Sequence, residues 1–329
     1  MIYEYAVDPQ FIVDLADKTD LAKSWYRATG VGHPCIIAGY PEREEFRKVQ
    51  EAIYKELSTA KNIKHRKSLI KRSKHYDEIV THLFKQKQTR RYGATIWNGD
   101  FSKEHERLKF EGILSTHAKV KDEASSSLPL LTIDWLRSDN CPYFKYPRAK
   151  CVRRNVQEMK LTLKPLLNNA STITFVDPYF EPEERYKKPY KEYFELLSKA
   201  ADVRCSISPR KVTIICYVNA GPPTTAEEFK EACHNRLKPP WFPENIRLTI
   251  RRIDHRKDRD GQQIHNRYIL TDIGGVLFGH GTDVAERNTA SCDDISLLEA
   301  EQLAKWRNVY KPDSPDFDWS EPPIIIPKE

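Results

Sequence analysis

The sequence has little of what secreted, membrane-spanning and zinc-stabilised proteins are built from. Its seven cysteines are odd in number, widely scattered and never arranged as Cys-x-x-Cys, so neither a disulfide framework nor a structural zinc site is expected. No apolar run approaches the length of a membrane span. Acids stand near the N-terminus, where a secretory signal needs bases. These absences predict a reduced, cytoplasmic protein that does not act at a membrane.

What is present suits one large or two ordinary globular domains. The 329 residues include 31% charged and 11% aromatic side chains, which is enough material for a full hydrophobic core. The net charge of +7 is modest but unevenly spread, and it permits a nucleic-acid partner without requiring one. We divide the chain into a helix-rich basic domain over 1–145, an α/β domain over 150–310 and a surface tail over 311–329, with a candidate flexible connection at 122–129.

A long basic run lies in the first of these domains. Lysines and arginines dominate residues 61–91, where only Asp77 and Glu78 oppose them. Apolar residues recur at helical spacing, so we predict a helix with one buried face. The basic face is either a surface that follows a DNA or RNA backbone or an ordinary solvated helix face, as most charge runs are. The candidate nucleic-acid ligands are Lys64, Arg66, Lys67, Lys71, Arg72 and Lys74.

The second half alternates strand patterns with helix patterns. Strands are predicted at 172–177, 212–218 and 247–253, and helices at 152–169, 190–200, 225–237 and 295–310. Strands separated by helices are typical of an α/β unit. We therefore predict an α/β fold in which a mixed sheet is flanked by helices and is preceded by a mainly helical N-terminal domain.

The stretch from Ile264 to Asp283 carries the most chemistry per residue. His265 and Arg267 are two apart, so they project from the same face of an extended strand. A glycine pair, Gly274-Gly275, predicts the turn into a second strand. That strand leads into Gly279-His280-Gly281, where the backbone can adopt conformations closed to other residues. An imidazole, a guanidinium and a carboxylate beside a glycine-flanked loop suit the handling of a phosphate group.

The spacing in this stretch matches a known layout: His265-x-Arg267, four residues, Asp272, six residues, then Gly279-x-Gly281. It resembles the signature of the phospholipase D superfamily, which is His-x-Lys followed by an aspartate and a glycine-rich continuation. It is closer still to a divergent branch with Ile-His-x-Arg and a second strand ending Gly-x-Gly-x-Asp. That branch includes uncharacterised bacterial proteins, some suspected of roles in phage defence. It also includes the C-terminal domain of MIT-domain trafficking proteins, which is thought to bind rather than catalyse.

The resemblance implies a metal-independent phosphodiesterase, with a nuclease favoured, that forms a phosphohistidine intermediate and needs no cofactor. In that chemistry His265 attacks phosphorus, Arg267 neutralises the phosphoryl oxygens and Asp272 orients the imidazole. An Asp-Pro-Tyr-Phe segment after the first predicted strand looks like the matching segment of prokaryotic members. The candidate phosphate ligands are Gly279, His280, Gly281, Asp177 and Arg153. A role in bacterial anti-phage defence, beside an ATPase or sensor subunit, follows from the resemblance alone.

The sequence departs from the family pattern in two ways. Arg267 replaces the lysine, and arginine binds phosphate in bidentate fashion but cannot give up a proton. Only one motif is present, so an active protein would take its second histidine from another subunit of a homodimer. His280 and His255 are the intramolecular alternatives, which lie in no matching motif. The alternative function is a catalytically inactive module that binds nucleic acid or a protein partner.

Overall fold

The computed structural model divides into two compact units, Ile2–Tyr146 and Pro147–Glu329. It describes residues 2–30, 32–37, 43–85, 112–115, 130–133, 147–204, 210–218, 225–237, 242–243, 245–253, 265–284, 291–319 and 322–326. The predicted connection at 122–129 and the alternative histidine His255 lie outside the described residues.

The described part of the N-terminal unit is mainly helical, as predicted, with a small parallel sheet. Its helices are α1 (Pro9–Ala16), α2 (Thr19–Ala28), α3 (Arg43–Thr59) and α4 (Ile63–Lys85). Its strands, in the sheet order β2-β1-β3-β4, are β1 (Tyr3–Val7), β2 (Cys35–Ile37), β3 (Gly112–Leu114) and β4 (Leu130–Leu131). We did not predict this sheet, because strands this short show no alternation, and pairing with segments distant in sequence defines them.

The packing of α4 follows from the spacing of its apolar residues. Leu69, Tyr76, Ile79 and Leu83 are buried and fall on one face of the helix. The Tyr76 hydroxyl donates a hydrogen bond to the Phe46 carbonyl oxygen at 2.9 Å, so this buried hydroxyl has a partner in the core. The opposite face of α4 is left to solvent and carries the basic residues.

The C-terminal unit is an α/β fold built on one large mixed sheet. Its helices are α5 (Val156–Asn169), α6 (Glu184–Arg204), α7 (Ala226–Arg236) and α8 (Ala300–Val309). Its strands are β5 (Ala149–Arg153), β6 (Thr172–Val176), β7 (Arg210–Tyr217), β8 (Ile246–Ile253), β9 (Arg267–Thr271), β10 (Gly275–Phe278), β11 (Cys292–Leu297) and β12 (Ile324–Ile326). Their order in the sheet is β12-β8-β7-β6-β9-β10-β11-β5.

Strand direction in this sheet changes at β9. Strands β6, β7 and β8 are parallel, whereas β9 is antiparallel to both β6 and β10. Strand β11 is antiparallel to β10 and to β5. The ends of β6 and β10 therefore lie at the same edge of the sheet as the starts of β9 and β11. We call this edge the carboxyl edge.

Helices cover both faces of the large sheet. On one face Phe175 of β6 contacts Tyr190 and Phe194 of α6, with ring centroids 4.9 and 6.3 Å apart. On the other face Tyr268 of β9 stacks on Trp306 of α8 at 5.1 Å. Aromatic pairs in these geometries add to the free energy gained from burial. The prediction of a mixed sheet flanked by helices is confirmed.

Three predicted boundaries differ from the structure. Val152 and Arg153, predicted to begin a helix, end strand β5, and Asn155 caps α5 by accepting a hydrogen bond from the Glu158 amide. Ile295 belongs to β11, because Cys292–Leu297 alternates exposed and buried residues, and α8 begins only at Ala300. Residues 311–329, predicted as a tail, give the sheet its edge strand, since Ile324–Ile326 pairs with β8.

Candidate functional site

The carboxyl edge gathers most of the candidate residues of the C-terminal unit. Asp177 follows β6, Arg267 begins β9, Gly279 follows β10, and Asp293 is the second residue of β11. Ligands bind preferentially outside the carboxyl ends of strands in open α/β sheets. The geometry of each side chain decides which of these residues face a ligand and which hold the site together.

Asp177 anchors the loop that follows β10. Its carboxylate accepts hydrogen bonds from the Thr282 amide at 3.2 Å, the Thr282 hydroxyl at 2.6 Å and the Tyr179 amide at 3.2 Å. The Thr282 hydroxyl also lies 2.9 Å from the Tyr190 hydroxyl. Burial raises the pKa of Asp177, and the bonds from Thr282 and Tyr179 and the charge of Arg267 oppose that rise. The predicted phosphate ligand Asp177 is corrected to a buried positioning residue, because its carboxylate is enclosed by protein donors.

Arg267 is fixed in orientation at the start of β9. Its Nη1 donates to the Gly279 carbonyl oxygen at 3.4 Å, and its guanidinium carbon lies 4.9 Å from the centre of the Tyr179 ring. Stacking on an aromatic face holds a guanidinium plane without using up its five N–H donors. The side chain is half-buried, so Arg267 is a preorganised cation that can bind a phosphate group.

The glycine loop binds an anion that the protein itself supplies. The Asp293 carboxylate accepts from the Gly279 amide at 2.9 Å, the His280 amide at 3.0 and 3.1 Å and the Gly281 amide at 3.3 Å. A Cβ on Gly279 would lie 2.8 Å from Asp293 Oδ1, which explains the glycine there. The predicted role of these amides as a phosphate cradle is therefore corrected, because a buried carboxylate already occupies them.

Arg154, and not the predicted Arg153, reaches the glycine loop. Arg154 pairs with Asp283 at 2.5 Å, and the two side chains are only 15% and 16% exposed. Arg153 is 67% exposed, and its Nε lies 3.8 Å from Glu158 Oε1. The phosphate-binding prediction for Arg153 is corrected, because Arg153 lies beside Glu158. Its neighbour Arg154 is the arginine that holds the loop, through its ion pair with Asp283.

The predicted triad of His265, Arg267 and Asp272 does not come together. His265 is exposed and lies two residues before Arg267, the first residue of β9. Asp272 lies beyond the opposite end of β9, where it accepts from the amides of Ser171 at 2.8 Å and Thr172 at 3.3 Å. Strand β9, from Arg267 to Thr271, lies between His265 and Asp272, and its four residue steps alone span roughly 13 Å. Asp272 therefore caps the start of β6 and is not the carboxylate that orients His265.

Sequence reasoning missed Thr282, Asp293 and Tyr190. Thr282 follows the Gly-His-Gly segment directly, so its place beside the loop had a signal in the sequence. Asp293 stands at an inward position of the alternating strand Cys292–Leu297, and an acid at a buried strand position needs local donors. Tyr190 had no such signal, because an aromatic residue in a helix is an ordinary core residue.

The basic helix α4 of the N-terminal unit presents a continuous row of lysines. Lys64, Lys67, Lys71 and Lys74 are exposed, and spacings of three and four residues place them on one face. Arg66 is exposed but lies off that row.

Arg72 is corrected from a nucleic-acid ligand to a packing residue of the N-terminal unit. Its Nε and Nη2 donate to the two carboxylate oxygens of Asp17 at 2.8 and 2.7 Å. This bidentate pair ties α4 to the end of α1 and leaves the guanidinium committed to a protein carboxylate.

Neither a metal-ligand cluster nor a membrane-spanning helix occurs among the described residues. No group of three or more histidine, cysteine or acidic side chains among them is placed to hold a metal ion. In the same part of the chain, no helix is both long and apolar enough to cross a bilayer.

Comparisons with known proteins give no family assignment. No family model matches the chain, and no curated protein matches it. Among solved structures it is similar to TrmBL2, an archaeal chromatin protein with a novel mode of DNA binding, at 16% identity and a TM-score of 0.25 over 50% of each chain. It is also similar to polyphosphate kinase from Porphyromonas gingivalis at 12% identity and a TM-score of 0.27, over 49% of this chain and 21% of that one. At these values neither similarity carries an inference about function.

Proposed function

We propose that this chain is a phospholipase D-like phosphodiesterase, a metal-independent nuclease whose reaction passes through a phosphohistidine at His265. The observation that carries the proposal is the placement of Arg267. Its guanidinium is held by Gly279 and Tyr179. Arg267 itself lies two residues after the exposed His265. A fixed cation beside an accessible imidazole supplies the phosphate clamp and the nucleophile that the reaction needs.

The proposed reaction has two displacements at phosphorus. An imidazole nitrogen of His265 attacks, a P–N bond forms, and the P–O bond to the leaving group breaks as that oxygen takes a proton. Water then attacks the phosphohistidine, loses a proton to a general base and releases the imidazole. Arg267 balances the charge on the non-bridging oxygens throughout. Asp177 and Asp293 hold the loop against which Arg267 rests.

The lysine row of α4 supports nucleic acid as the substrate. In the described part of the chain, Lys64, Lys67, Lys71 and Lys74 have no ion-pair partner, and the row faces solvent. Rows of this kind bind phosphate backbones by releasing counterions, so affinity falls steeply as salt rises. A lipid substrate has no corresponding apolar surface to support it in the sequence.

Turnover in the presence of a chelator tests the proposal. The purified protein is incubated with EDTA and DNA, RNA or bis(p-nitrophenyl) phosphate, and cleavage by wild type is expected to persist. His265→Ala should abolish it, since no phosphohistidine can form. Asp272→Asn is the matched control: its carboxylate lies at the other end of β9, so cleavage should survive. Absence of cleavage by wild type on all three substrates would refute the proposal.

A binding module without catalysis is the second candidate, and two observations favour it. Arg267 stands where the family signature has lysine, and Asp272, the predicted orienting carboxylate, lies beyond the other end of β9 from His265. This candidate predicts nucleic-acid binding that is weakened by Arg267→Ala but is never followed by cleavage. A flat salt response would indicate a protein partner instead. The homodimer, the defence role and the ATPase or sensor subunit stay predictions from the resemblance.

A further inference from the structure

The β9–β10 hairpin brings two histidines to the carboxyl edge. Its ladder ends where Arg267 of β9 pairs with Phe278 of β10. His265 lies two residues before Arg267, and His280 lies two residues after Phe278. Both histidines therefore stand just outside the end of the hairpin, at the edge where Arg267 begins β9.

The chain beyond the ladder stays close to Arg267. It bends at Gly279 and His280, yet the Gly279 carbonyl still accepts from Arg267 at 3.4 Å. A Cβ on Gly281 would lie 3.5 Å from both Cδ and Nε of Arg267. The backbone on both sides of His280 therefore lies close to the Arg267 side chain, so His280 stays beside Arg267 after the regular pairing ends.

Asp293 lies beside the His280 ring. The imidazole Nδ1 of His280 lies 3.5 Å from Asp293 Oδ1, the imidazole is 66% exposed, and the carboxylate is 1% exposed. Because Nδ1 is the ring nitrogen beside the carboxylate, Nε2 is the nitrogen left for a ligand. The backbone amide of His280 is bonded to the same carboxylate, which fixes the base of the side chain.

We infer that His280 is the second histidine of the reaction, acting within the same chain as His265. The inference rests on the proposed function. As the P–O bond breaks, the imidazolium of His280 gives its proton to the leaving oxygen. In the second displacement, the neutral imidazole takes a proton from the attacking water, which restores the starting state. His265 and His280 flank Arg267, and the site is complete in one subunit.

Leaving-group dependence is the first test. In His280→Ala, kcat for a dinucleotide, whose leaving group is a poor alkoxide, is expected to fall roughly 10²- to 10⁴-fold, as for loss of a general acid. For a p-nitrophenyl phosphodiester the fall should be less than about tenfold, because that leaving group needs little protonation. His265→Ala should lower both rates. An equal loss on both substrates, or no loss on either, would overturn the inference.

The second test does not depend on turnover. Orthovanadate, which mimics five-coordinate phosphorus, is titrated into dilute ¹⁵N-histidine-labelled protein, and the imidazole resonances are followed. Both His265 and His280 should shift together in wild type, and neither should shift in Arg267→Ala. Joint shifts without hydrolysis of any phosphodiester would support the two-histidine site while refuting the proposed hydrolysis. A shift of His265 alone, with wild-type cleavage intact, would refute the role of His280 and leave the proposed function standing.

Discussion

Replacement of Asp293 by asparagine should open the glycine loop, because the carboxylate is the acceptor for three successive amides. Oδ1 accepts from Gly279 and His280, and Oδ2 accepts from His280 and Gly281. An asparagine keeps one oxygen and turns an NH₂ group toward amides that can only donate. Two charge-assisted bonds are lost, each contributing about 1.5–3 kcal/mol. At a side chain 1% exposed, solvent does not replace them.

The expected loss is therefore about 3–6 kcal/mol in the free energy that keeps the loop closed. Such a loss is a large fraction of the stability of an ordinary domain, about 5–15 kcal/mol. Urea unfolding gives the change for the whole unit. Hydrogen exchange of the amides of Gly279–Gly281 gives it locally, since these amides exchange only when the loop opens.

Asp294→Asn is the matched control for Asp293→Asn. Asp294 is the next residue of β11, and its side chain is exposed, so its neutralisation should leave both measurements unchanged. In Asp293→Ala, 0.1 M formate should recover part of the lost stability by refilling the amide site, whereas chloride should not. The holding role of Asp293 is refuted if the free energy of unfolding of Asp293→Asn lies within about 1 kcal/mol of that of Asp294→Asn and the exchange of the loop amides is unchanged. That result would show that the carboxylate does not hold the loop.

Two more predictions concern single side chains. Arg72→Ala should lower the free energy of unfolding by about 1 kcal/mol, because its bidentate pair with Asp17 is partly exposed, and it should leave DNA binding intact. Lys71→Ala should leave the free energy of unfolding intact and weaken DNA binding, reducing the slope of log affinity against log salt by about 1. Burial raises the pKa of Asp177 above the ordinary 3.8, so the folded state holds this proton more tightly than the unfolded state does. The contribution of the protonated Asp177 to the free energy of unfolding is therefore complete below pH 3.8 and is lost as pH rises through the pKa of the folded state. The difference in unfolding free energy, wild type minus Asp177→Asn, should therefore decrease with rising pH in urea titrations, and a flat difference would contradict this.

The sequence predicts the central strands of the large sheet because those strands carry local signals. Val212–Val218 is apolar except for Thr213, and 247–253 alternates apolar with polar residues over most of its length, so both patterns indicate buried strands. The parallel sheet of the N-terminal unit could not be found in this way. A two-residue strand such as Leu130–Leu131 is defined only by the partner strand that a distant part of the chain supplies.

Only part of the candidate site could be predicted from the sequence. A linear motif indicates that His265, Arg267 and Gly279 lie near one another, because a hairpin returns the chain to its starting edge. It does not show which acid occupies the loop. Asp272 satisfies the spacing yet lies at the wrong end of its strand. Asp293 comes from the next strand along and reaches the loop only through the β10–β11 pairing.

The pairing of β12 with β8 has a consequence for how the protein is made. About 70 residues of chain lie between Ile253, which ends β8, and Ile324, which begins β12. At 5–20 residues per second a ribosome takes about 4–14 s to supply the partner strand. Throughout that interval the outer edge of β8 is open to pairing with a neighbouring nascent chain. The arginines at 247, 251 and 252 put positive charge on the waiting strand, so like-charged copies on one polysome repel each other.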